Sequence, residues 1–217
     1  MKKAITAWFV AALLLAGGGA ANAGSDLDQT IADLQHRWAV ANYQTPDDRK
    51  EDAFAALAKR AHEATLAFPG HAEPLIWEGI ILGTYAGVKG GLGALGLVSD
   101  AKARLEAAAA IDPNALNGSV YTSLGSLYYQ VPGWPLSFGD DDRARAYLKK
   151  ALAINPDGID PNYFYGDFLL ENGDYEAAAK AFEKALKAPA RPDRPLADKG
   201  RRAEARAKIE IARAHIE

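Results

Sequence analysis

Few side chains in this sequence have the types and spacing that chemistry needs. Gly91-Leu92-Gly93-Ala94-Leu95-Gly96 spells a GxGxxG string. Such a string binds phosphate only between a strand and a helix, where backbone N–H groups at the helix N-terminus meet the anion. Here a helical pattern precedes it and no strand pattern is in sight, so it reads as an apolar loop, flexible or closely packed. Phe138-Gly139-Asp140-Asp141-Asp142 gathers carboxylates, but without the alternating ligands of a calcium loop. Gly-Asp before a helix reads instead as an N-cap, with acids in the first turn suited to the macrodipole. His62-Glu63 begins like a zincin motif, yet Leu66 stands where the second His belongs. His36, His71 and His215 sit in no recognisable constellation, and no Ser is framed as a nucleophile elbow. Cysteine is absent, which removes disulfides, thiolate metal sites, Cys nucleophiles and a lipid-anchored Cys. The expectation is a protein with no catalytic residues, no metal site and no cofactor.

Binding is then the function to look for, and the elements that would present a surface are legible. Residues 159–189 read as two antiparallel helices. Gly166 gives the first helix a flat spot for its partner to approach. Asn172-Gly173-Asp174 is turn chemistry, with Asp174 placed to cap the next helix. Ala178, Phe182 and Ala185 form a stripe at helical spacing, and Pro189 ends it. The unit recurs upstream. Pro74 and Gly79 are spaced as Pro161 and Gly166 are, and Leu82 corresponds to Leu169; Ala101, Leu105 and Ala108 repeat the stripe, as do Ala144, Leu148 and Ala151. Leu124-Gly125 and Tyr128 take matching positions in the third unit. The stop prolines Pro113 and Pro156 lie 43 residues apart, against about 34 for a plain repeat. The excess is mostly Pro132-Gly133-Trp134-Pro135-Leu136-Ser137-Phe138, and residues 86–98, rich in Gly and Leu, form a similar insertion in the preceding unit. The pattern is similar to the tetratricopeptide repeat. It implies an all-α fold, a right-handed superhelix of antiparallel helix pairs, because a single pair cannot bury its own apolar face. The repeats are placed at about 26–69, 72–113, 118–156 and 159–189, the first with Ser25-Asp26 as a cap region and helices over 28–43 and 48–68. A charged helix at 196–216 would cover the open end of the stack.

The N-terminus has a separate meaning. Lys2 and Lys3 precede an apolar run over 4–16, and Ala21-Asn22-Ala23 matches a small-x-small cleavage site. Residues 1–23 read as a secretory signal peptide cleaved before Gly24, leaving 24–217 as one domain bound for the periplasm. The formal charge is −3 for the whole chain, and loss of the two lysines makes it more negative. A mildly acidic surface excludes nucleic acid as a partner.

In repeats of the resembled kind the first helices line the concave face. Alignment on the glycines puts Ile76 and Ile80, then Thr122, Ser126, Tyr129 and Gln130, then Tyr163, Asp167 and Leu170 on that face. The lining is apolar, aromatic and hydroxylic, without Lys or Arg. The two insertions leave the same end of successive pairs, so Trp134, Leu136 and Phe138 are expected to close over the groove with Leu92, Leu95 and Leu97. Trp134, on a rigid loop between Gly133 and Pro135, reads as an anchor. With its signal peptide, Gly/Leu insertion and the Gly133-to-Asp142 string, the chain resembles the periplasmic T-components (TatT-like proteins) of TRAP transporters. That resemblance implies a scaffold whose partner is a periplasmic solute- or lipid-binding protein or another transporter component. The composition of the face suits instead direct binding of an amphipathic small molecule, such as a lipid or sterol-like compound. The sequence leaves the oligomeric state open.

Overall fold

The computed structural model describes residues 19–216, with side chains from Gly24 onward. Lys2, Lys3 and the apolar run over 4–16 lie outside the described residues, as do the side chains of Ala21, Asn22 and Ala23. The described residues form nine α-helices in an all-α, tetratricopeptide-like arrangement. They are α1 (Gly19–Tyr43), α2 (Asp47–Ala67), α3 (Ala72–Lys89), α4 (Leu95–Ile111), α5 (Ala115–Gln130), α6 (Asp141–Ile154), α7 (Ile159–Glu171), α8 (Tyr175–Lys187) and α9 (Pro195–Arg213).

Three of the pairs, α3–α4, α5–α6 and α7–α8, are held by the same contact. A Cβ built at Gly79 would lie 2.6 Å from Leu105 Cγ, one at Gly125 2.6 Å from Leu148 Cγ, and one at Gly166 3.0 Å from the Phe182 ring. The first helix of the pair thus lacks a side chain where the second inserts its largest one. Leu105, Leu148 and Phe182 are fully buried, as are the flanking Ala101, Ala108, Ala144, Ala178 and Ala185. Each large side chain removed from water contributes about 1.5–3 kcal/mol. Local chemistry sets the joints. Asp140 caps α6 by accepting from Arg143 N–H at 3.0 Å, and Asp174 caps α8 through Ala177 N–H at 3.4 Å. Gly173 has φ 76° in the α7–α8 turn. Leu116, Asn117 and Gly118 are all left-handed, so regular helix in α5 begins at Ser119.

Some boundaries differ from the sequence reading. α1 is already helical at Gly19, so Ser25-Asp26 is not a cap; the Asp26 carbonyl accepts from Thr30 Oγ1 inside the helix. The 86–98 insertion is mostly helix. α3 continues to Lys89 and α4 starts at Leu95, because Ala86 and Val98 are both drawn into the core; only a glycine turn and one 3₁₀ turn separate them.

The helices form two layers. α2, α4, α6 and α8 lie outside, and α1, α3, α5, α7 and α9 pack side by side within. α9 does more than cover an end. It packs on α7 and α8, then meets α1, so the inner layer closes on itself. Gly200 permits this closure: a Cβ there would lie 2.4 Å from the Tyr43 ring. The Arg202 guanidinium donates to the carbonyls of Leu186 and Ala188 and ties α9 to the C-terminal end of α8.

Candidate functional site

Closure of the inner layer frames a half-open cavity of about 400 Å³, within the size range of small-molecule sites. Its walls have different chemistry. α5 contributes Ser119, Thr122, Ser123 and Ser126, whose spacing puts four hydroxyls on one helix face. Next to it, α3 contributes Gly79, Gly83 and Gly87 at every fourth position, with Ile80 and Val88 beside them. Of these, Gly87 faces open space, whereas Leu105 packs against Gly79 and Leu127 against Gly83. α1 adds Trp38, which donates from Nε1 to Thr84 Oγ1 at 3.0 Å and stands edge-on to Trp77 at 6.3 Å.

The end formed by α7, α9 and the 188–194 connector is charged. Arg191 donates to Asp160 at 2.7 Å and to Asp198 at 2.7 Å. Arg201 pairs with Asp160 at 3.1 Å and with Glu204 at 2.7 Å, and lies over the rings of Tyr163 and Phe164 at 4.3 and 4.7 Å. Burial alone would raise the Asp160 pKa. The Arg191 and Arg201 guanidiniums outweigh it and hold the carboxyl well below the usual carboxylate range. Burial likewise opposes the Arg201 charge, but Tyr43 and the neighbouring acids keep it firmly protonated. Burial, with Glu204 and Asp160 nearby, pushes the Tyr43 phenol up to about 12. Arg194 lines the cavity with its guanidinium 5.1 Å over the Trp77 ring.

This part of the chain has recognisable relatives. Residues 136–199 match the tetratricopeptide repeat family model. The chain is similar in fold to a crystal structure of MamA, at 21% identity over 80% of this chain and 95% of that one, with a TM-score of 0.44. A second MamA crystal structure is similar at 19% identity over 88% and 92%, TM-score 0.44. A thermophilic TPR protein of Thermus thermophilus is similar at 18% identity over 83% and 99%, TM-score 0.40. No curated protein matches the chain.

The tetratricopeptide-like frame distributes the residues singled out in the sequence unevenly. Ile80, Thr122, Ser126 and Gln130 lie in the cavity wall. Ile76 does not: it is fully buried in the core cluster with Ala108, Ala115 and Val120, where α4 turns into α5 and covers that end of α3. Tyr163 is buried against Phe182, in the contact between α7 and α8. Tyr129 and Asp167 meet each other across the α5–α7 contact, the phenol donating to Oδ2 at 2.9 Å, while Lys208 pairs with Oδ1 at 2.7 Å. Leu170 is half-buried in the same cluster as Tyr163. The insertions do not close over the cavity. Phe138 packs edge-on against Tyr128 at 5.3 Å, and Leu97 packs on the core with it. Trp134 is 89% exposed, and Leu92 and Leu136 are exposed too. His62 Nδ1 lies 3.0 Å from the buried Glu78 carboxylate, which Arg104 also approaches at 3.0 Å, an arrangement that joins α2, α3 and α4. The expectation of a lining without cations is corrected by Arg194 and Arg201. They come from beyond the last repeat, and only the return of α9 to α1 brings them to the inner face.

Proposed function

We propose that this chain is a non-enzymatic binding protein that holds an amphipathic small molecule in its central cavity. The observation that carries the reading is the closure of the inner layer. An open superhelix offers a concave strip on which a peptide can lie. A closed one, with hydroxyls on one wall and Trp38, Trp77, Ile80 and Val88 on another, offers a half-open cavity with two chemistries. The signal-like N-terminal sequence supports export to the periplasm. The resemblance to TRAP T-components supports a transport setting, with a solute- or lipid-binding protein handing cargo over. Mass spectrometry of organic extracts from the purified, exported protein tests the reading. A stoichiometric lipid or sterol-like species supports it, and an empty protein that takes up no amphiphile when titrated contradicts it.

A partner-docking role has its own observation. Trp134 and Leu136 stand exposed on the 132–138 loop, and an exposed Trp on such a loop serves well as an interface anchor. Capture of a periplasmic binding protein that is lost in Trp134→Ala supports this role; capture unchanged by that substitution removes the loop from it.

A further inference from the structure

The charged end of the cavity holds one cation that its neighbours leave without a carboxylate partner. Of the three arginines converging there, Arg191 and Arg201 each engage two carboxylates, and both Asp160 oxygens are taken by them. Arg194 differs. No ion pair among the described residues includes it, and its Nε is buried without an acceptor. Directly beneath it Trp77, only 3% exposed, also has an Nε1–H without an acceptor. Arg194 and Trp77 both line the cavity, and a guanidinium there without a carboxylate of its own points to an acceptor that arrives with a ligand. Burial works against the Arg194 charge, Arg191 and Arg201 repel it, and Asp160 and Asp198 support it only through space.

Resting on the cavity-ligand reading above, we infer that the ligand carries an anionic oxygen head group, a carboxylate or a phosphate, which pairs with Arg194 beside Trp77. Its apolar body extends along Ile80, Val88 and Leu127, all in the cavity wall. The planar guanidinium fork matches a two-oxygen acceptor, and a charge-assisted bond inside a walled cavity is stronger than one in water.

The test is titration of the purified protein with decanoate, decyl phosphate and decanol below their micellar concentrations, followed by calorimetry and by Trp fluorescence. At least one anionic probe binds about tenfold or more tighter than the alcohol. Arg194→Gln lowers affinity for the anions far more than for decanol, removing most of the preference, and Arg194→Lys keeps part of it. Whichever anion binds tighter identifies the head group. Equal binding of anions and alcohol to the unaltered protein, or a preference untouched by Arg194→Gln, overturns the head-group inference while leaving the cavity reading standing. Failure of all three probes to bind overturns both. Melting temperatures check folding, and if Arg194→Gln does not fold, the unaltered protein and Arg194→Lys decide.

Discussion

Asp160 is the residue through which three segments are joined. It sits in the first turn of α7, where a carboxylate suits the helix N-terminus, and receives Arg191 from the connector and Arg201 from α9. Removing it leaves two partly buried guanidiniums short of a counter-charge. Asp160→Asn is expected to destabilise the protein by about 2–3 kcal/mol at neutral pH, measured by urea unfolding. The pH dependence has a defined sign. The native carboxyl is depressed below its ordinary value of 3.8, so its contribution is complete above that value and fades as pH falls below it. The gap between the unaltered protein and Asp160→Asn therefore narrows in acid and does not widen. Gly87 offers the opposite kind of substitution. A Cβ there meets nothing within 4 Å, although the residue lines the cavity. Gly87→Leu is expected to fold normally and to lose at least tenfold in amphiphile affinity, read by Trp fluorescence titration.

At the scale of the element, helix pairing depends on glycine facing a large side chain. Gly125→Ala puts a methyl against Leu148, where even the backbone N is 3.2 Å away. It should cost about 1–3 kcal/mol by overpacking. Gly87→Ala, in α3 but against open space, should be neutral or add up to about 1 kcal/mol through helix propensity. Thermal unfolding of the two variants side by side checks this contrast. The same contrast explains what the sequence made legible. Gly79, Gly125 and Gly166, each with its Ala–large–Ala stripe, could be read because a close contact between adjacent helices leaves its mark at short, repeated spacing. The fate of Ile76 could not. Its spacing from Ile80 suggests a shared face, but burial there depends on where α4 turns into α5, through three left-handed residues that no periodicity announces. Trp134 and Phe138 share one short loop and end up in opposite environments, since only Phe138 meets Tyr128.

At the scale of the molecule, the decisive feature is the meeting of the first and last inner helices. It turns a concave strip into a cavity and brings Arg194 and Arg201 to a surface that the repeats themselves line without cations. It was illegible beforehand because Tyr43 and Gly200 lie at opposite ends of the repeat array and neither belongs to a repeated pattern. The absence of cysteine allows this closure to be measured directly. Cysteines introduced at Tyr43 and Gly200, treated with a short bis-maleimide at high dilution, should cross-link within one chain rapidly and in high yield, and the cross-linked protein should still bind amphiphile. Little or no intramolecular cross-link in a protein of unchanged helicity would mean an open superhelix, and the cavity site would go with it.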